Sequence, residues 1–155
     1  MIELKRILVP SDFSKFSQVA ISYAAALAEK FGAELFLLHV VQDLTVFFPE
    51  AVEAAPAVAL PADQFLAAAR SAMERSARDS CLQNLCVQQE VRVGTPFYEI
   101  VRYAREMKID LIVMGTHGHT GLVHVLLGSV TEKVVRKAPC PVLTVRHPEH
   151  EFVHP

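Results

Sequence analysis

Leu111, Ile112, Val113 and Met114 form an apolar run that passes straight into Gly115, with Gly118 and Gly121 close behind. So short a run, with no polar residue inside it, reads as a strand covered on both faces that opens into a loop. Gly128 then precedes Ser129 and a segment to Lys137 with helical patterning. Glycine lets backbone amides come close to an anion, and a helix start adds N–H groups without intrahelical acceptors at the positive end of the helix dipole. A strand, a glycine-rich loop and a helix N-terminus in succession make a place for phosphate.

The rest of the chain repeats strand and helix around that stretch. Arg6 to Pro10 carries Ile7, Leu8 and Val9 as a buried strand, and Ser11, Asp12 and Ser14 make a polar turn. Ser14 is the expected N-cap of a helix whose apolar positions are Phe16, Val19, Ala20, Tyr23, Leu27 and Phe31, with Gly32 as its C-terminal stop. Glu34 to Val41 is a second buried strand, interrupted only by His39, which such a setting marks as a hydrogen-bonded core residue. Residues 42–63 hold three prolines and the pair Phe47-Phe48, and are expected to form a long loop. Leu66, Met73, Ala77 and Cys81 then space a helix from Gln64 to about Gln83. In Cys86 to Val93, Val87, Val91 and Val93 alternate with Gln88, Glu90 and Arg92, so this third strand has one wet face or lies at an edge. Thr95 is the expected N-cap, with Pro96 at the first helical position, of a helix through Phe97, Ile100, Val101, Ala104 and Met107. A fourth strand follows Asp110, a helix spans Ser129 to Lys137, and Val142 to Val145 makes a fifth strand.

Five strands alternating with helices predict a single α/β domain over residues 1–146 with a short tail at 147–155, rich in histidine and proline. In an open sheet of that kind ligands sit at the carboxyl ends of the strands, where the winding reverses. A formal net charge of −2 and no run of grouped Lys and Arg argue against a nucleic-acid surface. The N-terminus MIELKRILVP has charges where a signal peptide needs an apolar stretch, and no run is long enough to cross a bilayer, so a cytoplasmic protein without membrane contact is expected. Cys81, Cys86 and Cys140 lack Cys-x-x-Cys spacing; the expectation is reduced, mostly buried thiols rather than disulfides or a zinc knuckle.

The spacing Gly115-x-x-Gly118, nine further residues, then Gly128-Ser129 resembles the nucleotide-binding signature of the universal stress protein family. The opening RILVPSDFS and the ending APCPVLTVR resemble the same family, so the likeness spans nearly the whole chain. It implies a doubly wound parallel sheet of order 3-2-1-4-5 with helices on both faces, Rossmann-like and of the adenine nucleotide alpha hydrolase kind. It also implies a site for ATP or a related adenine nucleotide, drawn from three parts of the chain. The first strand's end would supply Pro10, Ser11 and Asp12, and the second strand's end Val40 and Val41 through backbone atoms. The glycine stretch would supply Met114, Gly115, His117, Gly118, His119, Gly128, Ser129, Val130 and Thr131. Asp12 would help place a Mg2+ ion carried by the nucleotide, and His117 would lie over the phosphates. Two copies would meet along Val142–Val145 as a homodimer.

Several chemistries lack their residues. The chain has no P-loop Gly-x-x-x-x-Gly-Lys-Ser/Thr and no Gly-x-Ser-x-Gly elbow. Its glycine spacing differs from Gly-x-Gly-x-x-Gly, and no cysteine or carboxylate joins the His117-x-His119 pair and His124 as a zinc set. The resemblance implies a nucleotide-dependent regulator in the stress response, with unspecified protein partners. The alternatives are an enzyme that slowly hydrolyses ATP or phosphorylates itself, and a dimeric module that works without a ligand.

Overall fold

The computed structural model describes residues 3–42, 62–117 and 127–147. Most of the expected 42–63 loop, Gly118, His119 and the tail beyond His147 lie outside them. The elements in chain order are β1 (Arg6–Pro10), α1 (Lys15–Phe31), β2 (Glu34–Gln42), α2 (Ala62–Ala77), a 3-10 turn (Ser80–Leu82), β3 (Val87–Gly94), α3 (Pro96–Glu106), β4 (Leu111–Gly115), α4 (Ser129–Lys137) and β5 (Val142–Val145). The strands form one sheet in the order β3-β2-β1-β4-β5, every neighbouring pair parallel. The expected order therefore holds, and the winding reverses between β1 and β4.

The apolar runs become central strands because both faces are covered. Ile7, Leu8 and Val9 have no exposed surface, and successive side chains leave opposite faces of a strand. Ile7 and Val9 join Leu35, Leu37 and Val113 beneath α1, which presents Ala20, Ile21, Ala24 and Ala28. Leu8 joins Phe36, Leu38, Ile112 and Met114 on the other face, beneath Ile100, Tyr103 and Ala104 of α3 and Val134 of α4. The ends of α1 are closed by the residues the sequence marks. The Ser14 hydroxyl accepts from the Ser17 N–H, and Gly32, at φ +64°, donates its N–H to the Ala28 carbonyl.

β3 lies at the edge its alternation predicts, and two other expectations are corrected. The second helix stops at Ala77 rather than near Gln83, because Asp79 turns the chain and accepts from the Cys81 N–H, capping the 3-10 turn instead. Thr95 is the N-cap of α3 and Pro96 opens the helix, as expected, although the Thr95 hydroxyl makes no capping hydrogen bond. The thiols are not mostly buried: Cys81 and Cys86 are exposed and Cys140 is half-buried.

Candidate functional site

At the carboxyl ends of the strands, where β1 and β4 part, lies a cavity of about 380 Å³, large enough for a small ligand. Its first wall is the turn after β1. The Ser11 N–H donates to the Leu38 carbonyl at 2.8 Å, the Ser11 hydroxyl meets that of Ser17 at 3.2 Å and accepts from the Phe13 N–H. An Asp12 carboxylate oxygen accepts from the Ser14 N–H at 3.0 Å. Asp12 therefore stiffens the turn, while Ser14 does the capping, and Pro10, Ser11 and Asp12 all line the cavity. The turn is tight enough to hold Phe13 at φ +63°, a conformation unusual for a side chain of that size. Phe13 stacks on the His39 ring with centroids 4.3 Å apart, and His39 Nδ1 lies 2.7 Å from the Ser11 carbonyl. A carbonyl only accepts, so Nδ1 carries the proton.

The opposite wall comes from the glycine stretch. The Thr116 N–H donates to the Val145 carbonyl at 3.0 Å, and the Gly128 N–H donates to the Thr116 carbonyl at 2.7 Å, which returns the chain to the end of β4. Gly115 and Gly128 are glycines for closeness: a Cβ on Gly115 would stand 3.0 Å from the Phe16 carbonyl oxygen, and one on Gly128 3.1 Å from that of Thr116. Both have ordinary φ, so part of the motif serves packing of backbone on backbone. The Thr131 hydroxyl, buried, donates to the Gly115 carbonyl at 2.9 Å and ties α4 to β4. That hydroxyl proton is already committed, which leaves Thr131 its backbone amide for a ligand.

The start of α4 is the polar centre of the cavity. Gly128 is its N-cap and offers no side chain, while the first intrahelical bond runs from the Glu132 N–H to the Gly128 carbonyl. The N–H groups of Ser129, Val130 and Thr131 thus have no backbone acceptor among the described residues, and all three residues line the cavity. His117 lines it too, its Nδ1 3.0 Å from the Thr116 hydroxyl. No lysine or arginine does, although every one of the chain's fifteen stands among the described residues.

Of the residues expected from sequence, Pro10, Ser11, Asp12, Val40, Met114, Gly115, His117, Gly128, Ser129, Val130 and Thr131 surround this one cavity. Val41 is not among the residues that line it. Gly118 and His119 lie outside the described residues. The structure adds Leu38, His39, Gln42, Pro96 and Ile100. His39 and Gln42 could have been found by extending the second strand's end one residue either way, and Leu38 by one residue more. Pro96 and Ile100 carry no local signal, because only the crossover from β3 brings the first turn of α3 to the cavity. Among the described residues no group of three or more His, Cys, Asp or Glu side chains is placed to hold a metal ion, and no helix is long and apolar enough to cross a membrane.

Residues 3–146 match the model of the universal stress protein family. The universal stress protein MJ0531 of Methanocaldococcus jannaschii is 34% identical over 95% of this chain and 85% of its own length. Among solved structures, that of MJ0577, from the same organism, has a TM-score of 0.80 at 33% identity, covering 96% of this chain and 99% of that one. A universal stress protein solved in complex with cAMP has a TM-score of 0.63 at 24% identity, covering 93% of this chain and 98% of its own, a likeness of fold.

Proposed function

The chain belongs to the universal stress protein family, and from that premise we propose that it is a cytoplasmic adenine-nucleotide binder, taking ATP with Mg2+ and acting as a nucleotide-dependent regulator in the stress response. The observation that carries the reading is the start of α4, where three residues whose N–H groups have no backbone acceptor among the described residues line the cavity. Such a helix start binds phosphate without needing a cationic side chain. The apolar walls, Val40, Leu38 and Ile100, suit a flat base. The cAMP bound by the relative of like fold is an adenine nucleotide too.

The absence of Lys and Arg from the lining makes a prediction about charge. Among the described residues, a triphosphate would meet several of its own negative charges and the Asp12 carboxylate with only helix amides and His117 to offset them. Mg2+ carried on the phosphates, with Asp12 beside them, would supply the missing positive charge. Calorimetric titration with ATP should therefore show affinity falling at least roughly tenfold when EDTA replaces Mg2+, about 1.4 kcal/mol. The fall for AMP should be much smaller. Equal sensitivity of the two would contradict the charge argument.

Ser129→Pro tests the amides directly. Proline suits the first position of a helix, and Gly128 already has φ −63° and ψ 151°, the extended geometry that a residue before proline adopts. The variant should fold normally yet lose one phosphate donor. A hydrogen bond to a charged group is worth about 1.5–3 kcal/mol, so nucleotide affinity should fall roughly tenfold to a hundredfold. Ser129→Ala, which keeps the amide, should lose much less. A folded Ser129→Pro protein that binds ATP as the wild type does would refute the site and favour a module that works without ligand.

A further inference from the structure

Further along the two helices whose first turns line the cavity, α3 and α4 leave an open groove of about 430 Å³ between them. Tyr98, Val101, Arg102 and Arg105 stand at the i, i+3, i+4 and i+7 positions of α3 and form one stripe along it. The floor is apolar, made by Phe97 and the largely buried Val101. Across it, Lys133 and Lys137 of α4 both reach the Phe97 ring, with Nζ 5.1 Å and 5.5 Å from its centroid. Lys137 lines the groove, and Lys133 stands beside it on the same Phe97 ring.

The charges at this groove are unbalanced. Arg102 is paired, with Glu99 at 3.3 Å and Glu106 at 3.0 Å. Arg105, Lys133 and Lys137 make no ion pair with a carboxylate among the described residues, on a chain whose formal net charge is −2. Tyr98, more than half exposed, stands beside them with its ring and hydroxyl unburied. Three cations without a carboxylate partner among the described residues, set around a floor of half-buried Phe97 and buried Val101, suit a partner that brings carboxylates and an apolar side chain together.

We propose that the α3–α4 groove docks an acidic protein segment, its glutamate or aspartate side chains against Arg105, Lys133 and Lys137 and an apolar anchor on Phe97. Charge complementarity selects the partner's sign, and the floor selects its anchor. A nucleic acid fits less well, because a phosphate backbone favours an extended basic stripe rather than a short concavity floored with Phe97 and Val101.

The test uses the full chain and three probes at low ionic strength, read by fluorescence anisotropy. The first is a fluorescein-labelled peptide of alternating glutamate and leucine with a central phenylalanine. The second is its counterpart with glutamine for glutamate, and the third is a labelled single-stranded oligodeoxynucleotide of matched charge. The acidic peptide should bind most tightly. The combined exchange Arg105→Glu, Lys133→Glu, Lys137→Glu should weaken it at least roughly tenfold, and Phe97→Ala should weaken it as well. A control with as many charges reversed elsewhere, Lys30→Glu, Arg75→Glu, Lys108→Glu, should bind it as the wild type does. The proposal is overturned if the wild type binds none of the acidic peptide or binds the glutamine peptide equally well. It is overturned too if the groove exchange has no more effect than the control, or if the oligonucleotide is the tighter ligand.

Discussion

Arg92→Ala should lower the stability of the fold by about 2–3 kcal/mol in denaturant unfolding, a large loss for one polar side chain. Arg92 stands on the edge strand β3, its side chain only 17% exposed, between Glu106 at 2.6 Å, Glu99 at 3.6 Å and Glu90 at 3.7 Å, with its guanidinium 4.6 Å from the centre of the Tyr103 ring. Glu99, 8% exposed, sits in the first turn of α3. Breaking a fully buried pair costs about 3–5 kcal/mol because one charge is left without its partner. Here the figure is lower, since Glu99 keeps Arg102 at 3.3 Å. Arg92→Met should lose a similar amount, and adding Glu99→Gln should recover part of it, since a stranded neutral amide costs less than a stranded charge. No recovery in the double variant would show that the loss comes from packing on Tyr103. The pH dependence has a definite sign. The hydrogen bond from Arg92 holds the Glu106 carboxyl below its ordinary 4.5. Its contribution is therefore complete above that pH and is lost as the pH falls through the lowered value, so Arg92→Ala should flatten the acid side of the stability profile. The network matters to function because it fastens β3 to α3, whose Pro96 and Ile100 line the cavity.

What could be read from the chain divides by how far apart the interacting residues lie. Ile7-Leu8-Val9 announces a doubly covered strand, Ser14 and Gly32 announce helix ends, and the alternation in β3 announces an edge, because each depends on neighbours in sequence. The sheet order came from resemblance to a family, since nothing local in β4 says that it pairs with β1. The glycine spacing located the cavity but concealed a division of labour within it. Gly115 and Gly128 make room for the carbonyls of Phe16 and Thr116, while the unspent amides belong to Ser129, Val130 and Thr131. The α3–α4 groove was illegible for the same reason. Arg105 and the lysines at 133 and 137 are far apart in the chain, and a reading that looks for grouped Lys and Arg passes over a cluster that only the folded sheet assembles.

Thr144→Pro should turn a dimer into monomers, and the hydrogen bonds of β5 say why this one substitution can do so without unfolding the chain. The Ile112 N–H donates to the Pro141 carbonyl and the Thr116 N–H to that of Val145, each at 3.0 Å. In a parallel ladder the residues that serve a neighbour alternate along the strand, so Pro141, Leu143 and Val145 face β4. Val142 and Thr144 therefore point their N–H and carbonyl groups away from the sheet. Nothing among the described residues pairs with that edge, and Leu143 beside it is 38% exposed. An open apolar edge without an interior proline or lysine invites another strand. We propose that a second copy supplies it, antiparallel about a two-fold axis, with each outward group used once by either chain. Proline at 144 removes an outward donor and leaves the β4 ladder intact. Because the axis repeats the loss, two bonds at about 1 kcal/mol each go, and dimer affinity should fall roughly thirtyfold before any clash of the rings is added. Sedimentation at micromolar concentration should show a wild-type dimer and a Thr144→Pro monomer with nearly unchanged circular dichroism. Leu143→Pro, which cuts an inward bond, should instead destabilise the fold itself. A wild-type protein that sediments as a monomer would remove the dimer from the account and leave the edge of β5 to some other partner.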